Sequence, residues 1–156
     1  MNIPSIFVSA LIPMAIGFIY YHKKVVGSAW MSVNNFTDEK VESNNMPLTL
    51  ILSYVLAVLL AFALNGMVNH QAGVASLFFG DEANPLLAQV LAEKGTAFRT
   101  FKHGALHGFV SSIVVALPII GINSLFEQRG WKYIWIHTGY WALTLMLMGG
   151  ILCAWI

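Results

Sequence analysis

The segment from Lys102 to Trp131 reads KHGALHGFVSSIVVALPIIGINSLFEQRGW and joins an apolar run, two helix faces of different chemistry and a charged turn. Taken every fourth residue, Gly104, Gly108, Ser112 and Ala116 form a ridge of small side chains. Such a ridge lets a neighbouring helix backbone come close in lipid, where no hydrophobic drive pulls helices together. The adjacent face carries His103, His107 and Ser111. Small residues and titratable residues therefore lie side by side, and both are expected to turn toward protein and away from acyl chains.

The chain around this segment agrees with a bilayer setting. Of its 156 residues, 58% are hydrophobic and only 10% charged, more apolar than a soluble domain tolerates. A formal net charge of +1 provides no field for nucleic acid. The single cysteine, Cys153, cannot form an internal disulfide and reads as a small packing residue. Four runs are long enough to span, at about 3–21, 47–68, 103–126 and 133–156, within one membrane domain covering 1–156. The first lacks basic residues before it and is followed by Lys23 and Lys24, which argues for a retained helix rather than a signal peptide. The expected fold is an all-α polytopic bundle of four transmembrane helices, with a short interfacial helix in the middle loop. Asn84 and Pro85 mark the start of that short helix and Gly95 its end.

Pro13 and Pro118 each remove a backbone donor inside a span, so both helices should bend. In the second span Thr49, Ser53, Ala57 and Ala61 recur every fourth residue up to Asn65, and in the fourth Gly149 and Gly150 supply small contacts. Trp30, Trp131 and Trp135, with Lys23, Lys24, Arg129 and Lys132, have the character of interface anchors, as does the belt Phe98, Arg99, Phe101, Lys102. Gly130 is expected to take the left-handed conformation in the turn between the last two spans. The bases flanking the first and third loops favour a cytoplasmic side for both, with the termini outside.

For chemistry, His103 and His107 lie one turn apart and His70 should emerge at the same face, near Asn65. Three imidazoles at one level have the makings of a metal or proton-linked site, or of a hydrogen-bonded structural cluster. No acid lies inside a span to complete a relay or a zinc-protease signature, and no nucleophile triad or phosphate loop is present, so no catalytic group is assigned. His137 should enter from the opposite interface, on the order of 20 Å from the His107 level, and hydrogen-bond across helices together with Tyr140.

HGALHGF (103–109), LPIIGINSLFEQRGWKYIWIHTGYW (117–141), LMGGILCAW (147–155) and GSAWM (27–31) resemble a bacterial family of small four-span membrane proteins catalogued as domain of unknown function 1761. The resemblance implies an inner-membrane helical bundle and supplies no activity. Three functions stay open at this point. The first is a non-enzymatic bundle, without a cofactor, that self-associates or joins a larger membrane assembly. The second is a transporter or channel with a cavity lined by His70, His103, His107 and Asn65. The third is a metal-binding or redox subunit. The lipid bilayer is the partner common to all three.

Overall fold

The computed structural model describes residues 2–156. Its helices are α1 (Ile3–Ser9), α2 (Ile12–Tyr20), α3 (Ser28–Asn34), α4 (Asp38–Glu42), α5 (Met46–Val68), α6 (His70–Ser76), α7 (Pro85–Lys94), α8 (Phe101–Ser111), α9 (Leu117–Phe126) and α10 (Trp131–Ala154). Two π-helical turns cover Lys23–Gly27 and Ser112–Ala116. Joined end to end, these make four helical rods long and apolar enough to cross a membrane: Ile3–Tyr20, Met46–Val68, Phe101–Phe126 and Trp131–Ala154. At 1.5 Å per residue they reach roughly 27 to 39 Å, enough for a hydrocarbon core of about 30 Å. The chain is an integral membrane helical bundle.

Each proline stands beside an interruption of its rod, by a different route. Near Pro13 the helix tightens into a turn at Ala10 and Leu11, between α1 ending at Ser9 and α2 starting at Ile12, with both residues still right-handed and Leu11 N donating to Val8 O at 3.2 Å. Pro118 has no N–H for the carbonyl of Val114, and the helix relaxes by widening to the π turn over Ser112–Ala116. Thr37 caps α4 by accepting from Lys40 N at 3.2 Å, and Asn84 caps α7 by accepting from Leu86 N at 2.9 Å.

α10 is the central rod. Half of its apolar window is buried, against 17% for α5 and for the third span. Ile6, Ala61, Leu64, Val68, Leu145, Met148, Leu152 and Cys153 form the core between α1, α5 and α10. Phe18, Ile19, Leu56, Leu59, Val114 and Leu125 face outward, as lipid-facing side chains do.

The tightest contact joins α8 to α10. A Cβ on Gly104 would overlap the Gly149 carbonyl and the Cys153 side chain, and one on Gly108 would overlap the Leu145 carbonyl. One on Gly149 would lie 3.3 Å from Gly108 Cα, and one on Gly150 would strike the Phe101 ring. These glycines let two backbones touch. Ser112 is wholly buried and Ala116 half-buried on the same ridge. The ridge is therefore occupied within one chain and is not a free surface for a second copy.

The α5 row departs from expectation at its start. Ala57 and Ala61 are buried with Asn65, and Ser53 is half-buried, but Thr49 is exposed and donates through Oγ1 to Asn44 Oδ1 at 3.2 Å. A fourfold row on a 3.6-residue helix rotates by about 40° per step, so it has turned roughly 80° out of the bundle between Ala57 and Thr49.

The α9–α10 turn also differs. Gly130 is extended, with φ −73° and ψ 163°, and precedes α10, while Gln128 takes the left-handed conformation at φ 57°. Gln128 N donates to Leu125 O at 3.2 Å and Arg129 N to Ser124 O at 2.8 Å, the paired bonds of a Schellman ending. The glycine stands two residues too late to serve there. Gln128→Gly should stabilise the protein by about 1 kcal/mol by removing the Cβ penalty of that conformation, seen as a higher unfolding midpoint in detergent.

Trp131 and Trp135 stand exposed as anchors should, with Lys24 and Lys132 also exposed. Trp30 does not stand free, because its ring packs between Tyr21 and Phe36 at centroid distances of 5.2 Å to each. Lys23 pairs with Asp38 at 2.6 Å. Arg129 lies 5.2 Å over the Tyr133 ring and donates to Val33 O at 3.4 Å, tying the third loop to the first. Arg99 has a structural duty instead of an anchoring one. Its Nε donates to Cys153 O at 2.6 Å and its Nη2 to Trp155 O at 2.5 Å, satisfying carbonyls at the negative end of α10. Charge-assisted bonds of this kind contribute roughly 1.5–3 kcal/mol, so Arg99→Gln should cost about 2 kcal/mol. Hydrogen exchange over 149–154 should then quicken relative to 140–145.

Candidate functional site

Three elements bring the histidines together. α5 ends at Val68, and Asn69 is extended, with φ −109° and ψ 100°, so that α6 leaves in a new direction with His70 at its start. Asn69 is held by its side-chain amide, which donates to Asn65 Oδ1 and to Leu152 O, the latter at 3.5 Å. Gln71 then ties α6 down, donating through Nε2 to Lys94 O and Ala97 O at 2.9 Å each. Opposite, Thr100 caps α8 by accepting from His103 N at 3.2 Å, which sets His103 and His107 on the first two turns of that helix.

The resulting triad is compact. His70 Nε2 and His103 Nε2 are 3.0 Å apart, and one ligand-capable nitrogen from each of His70, His103 and His107 lies within 4.8 Å of the others. Ring centroids are 4.5 Å apart for His103 and His107 and 5.2 Å for His70 and His107. Three nitrogens on a tetrahedral ion with bonds of about 2.05 Å would stand roughly 3.3 Å from one another; the His70 and His103 nitrogens, 3.0 Å apart, are close to that spacing, and the third lies within 4.8 Å. His70 is exposed and the other two are half-buried, which leaves the group open on one side. Three imidazoles with neither carboxylate nor thiolate suit a borderline divalent ion of the zinc, copper or nickel type, not magnesium or calcium.

Phe98 roofs the group. Its ring stacks on His103 at 5.1 Å and meets His70 edge-on at 5.9 Å. Its φ of 62° is an unusual conformation for a bulky residue, costing on the order of 1–3 kcal/mol, and such strain gathers at sites where surrounding contacts impose a geometry. Cys153 Sγ donates to the Phe98 carbonyl at 3.3 Å, linking this roof to α10. An apolar pocket of about 200 Å³ adjoins the triad, sharing His70 and Phe98 and lined otherwise by α6, α7 and Ala97.

The structure places His70, His103 and His107 together. Asn65 is buried and its Oδ1 accepts from the Asn69 side chain, the residue that precedes His70. Asn69, Gln71 and Phe98 were missed. Nothing local marks them, since each matters through a partner more than twenty residues away: Leu152 for Asn69, Lys94 for Gln71, and Cys153 for Phe98 through its carbonyl. His137 lies apart, its Nδ1 3.3 Å from the Tyr21 hydroxyl, and Tyr140 donates to Pro13 O at 2.8 Å. Both make the cross-helix bonds expected of them.

A family model described as "Protein of unknown function (DUF1761)" matches residues 4–153. No curated protein matches, and no solved structure matches.

Proposed function

We propose, taking as premise that this chain belongs to the DUF1761 family of proteins of unknown function, that it is a non-enzymatic membrane protein that binds one borderline transition-metal ion through His70, His103 and His107. The observation that carries this reading is the convergence of three imidazole nitrogens within 4.8 Å, drawn from two helices far apart in sequence. An ion there would clamp α6 to α8 and would keep a fourth position for water or an exchangeable ligand. A hydrolytic role would need a general base, and no carboxylate among the described residues shares the group. Self-association is less well supported, because the glycine ridge that would mediate it is filled by α10 of the same chain. A histidine-lined conduit is less well supported too, since Asn65 is engaged by Asn69 and the core cluster between α1, α5 and α10 is apolar.

Lys23, Lys24, Arg129 and Lys132 support an inner-membrane orientation with the first and third loops cytoplasmic. The triad would then sit at the outer face, where exchangeable metal is met before the membrane is crossed.

Purified full-length protein, treated with chelator and titrated with Zn²⁺ by calorimetry in detergent, is expected to take up one ion per chain. At 100 times Kd the bound ion should add about 2.7 kcal/mol of stability and raise the unfolding midpoint. Protein that takes up none of Zn²⁺, Cu²⁺ or Ni²⁺ would overturn the reading.

A further inference from the structure

A second cleft, of about 250 Å³, lies at the opposite end of the bundle between α9 and α10, bounded by Asn123, Ser124, Glu127, Tyr133, His137 and Trp141. Two of its lining residues hold polar atoms that are buried without a partner, Ser124 Oγ and His137 Nε2, and Ser124 itself is only 1% exposed. An unpartnered buried donor costs roughly 1–3 kcal/mol, so native proteins seldom keep one unless water or a ligand answers it. The Tyr21 hydroxyl lies 3.3 Å from His137 Nδ1; in the tautomer in which that hydroxyl donates to Nδ1, the imidazole proton stands on Nε2 and faces the cleft. Ser124 and His137 therefore offer two donors to one acceptor group.

The rim adds charge of both signs. Glu127 contributes a carboxylate, 3.5 Å from Arg129 Nε, and the Arg129 guanidinium lies 5.2 Å over the Tyr133 ring that walls the cleft. Depth is the third constraint. The cleft spans the last turns of α9 and the first turns of α10, flanked by exposed Leu125, Phe126, Trp131 and Trp135. An aromatic and apolar fringe of this kind sits where headgroups meet acyl chains.

We propose that this cleft binds the phosphoethanolamine headgroup of a bilayer phospholipid. Phosphate oxygens accept from Ser124 Oγ–H and His137 Nε2–H beside Arg129, while the ammonium donates to the Glu127 carboxylate and the Asn123 side-chain oxygen. The acyl chains run down from the cleft past Ile120 and Trp141, its lining residues further into the spans. Choline has no N–H to donate to Glu127, and a phosphoglycerol headgroup places no cation there, so the pairing selects ethanolamine. The site is independent of the histidine triad.

The test is the unfolding midpoint of the full chain in detergent with added phosphatidylethanolamine, phosphatidylcholine or phosphatidylglycerol, together with lipid competition by native mass spectrometry. Phosphatidylethanolamine should raise the midpoint several degrees more than the other two and should be retained about tenfold in preference to them. Glu127→Gln should shrink the gap between ethanolamine and choline lipids, and Ser124→Ala should reduce the gain from phosphatidylethanolamine. Soluble O-phosphoethanolamine, lacking acyl chains, should give no shift at equal concentration. Equal midpoints and equal retention for the three lipids in the unaltered protein would overturn the proposal. So would a lipid preference unchanged in both variants, or a soluble headgroup as effective as the lipid.

Discussion

Gly108→Leu should unfold or grossly loosen the bundle, a loss well above the roughly 1–3 kcal/mol of ordinary overpacking. The reason is what the new side chain would meet. A Cβ at this position overlaps the backbone carbonyl of Leu145 and comes within 3.0 Å of Met146 Cα. Backbone atoms in the middle of α10 cannot rotate aside as a side-chain tip could, so α8 and α10 would have to separate. Separation would also open the contacts of Gly104 with Gly149 and Cys153, and would release the Phe98 carbonyl from Cys153. Even Gly108→Ala should cost about 3 kcal/mol. Gly66 and Gly121 provide the comparison, since a Cβ at either meets nothing within 4 Å. Alanine at those two sites should be neutral or slightly stabilising through better helix propensity. Unfolding midpoints of the four variants in one detergent check the order. A Gly108→Leu protein as stable as the Gly121→Ala protein would contradict the close contact between α8 and α10.

His103→Ala should weaken Zn²⁺ binding by more than the roughly 10–100-fold that removal of an outer-shell partner costs. His103 is the middle member: its Nε2 is 3.0 Å from that of His70, and its ring is 4.5 Å from that of His107. Without it, two imidazoles remain with centroids 5.2 Å apart and one fewer ligand for the ion. Phe98→Ala, which leaves the ligands but removes the roof, should fall between this variant and the unaltered protein. His22→Ala supplies the control, because His22 belongs to the other end of the first span and its Nδ1 accepts from Lys24 N at 3.2 Å. Calorimetric titration of the four proteins distinguishes a ligand set from a purely structural cluster. In the structural case His103→Ala would lower stability without altering metal uptake.

Some features of this protein follow from local chemistry, and those are the ones the sequence carries openly. Apolar run length places four spans within two residues of their ends, because only a helix satisfies its own backbone in hydrocarbon. Proline chemistry locates both interruptions, and Asn84 and Thr37 announce their helices through caps that act within three residues. The spacing of His103 and His107 likewise follows from helix period alone. Other features depend on which surfaces meet. Nothing within the Thr49 to Asn65 row says where it leaves the bundle; that depends on the neighbour packed against it. The glycine ridge is equally suited to a partner in another copy or in the same chain, and only the docking of α10 answers which. Gln128 serves as the left-handed residue because α9 stops at Phe126, although a glycine stands two residues later. Arg99 and Phe98 read as interface anchors, and Asn69 carries no local signal, until tertiary contacts give them the end of α10 and the histidines as partners. The physical reason is range: propensity, capping and period act along the chain over a turn or two, whereas a binding group assembled from α6 and α8 exists only once packing has brought distant segments within a few ångströms.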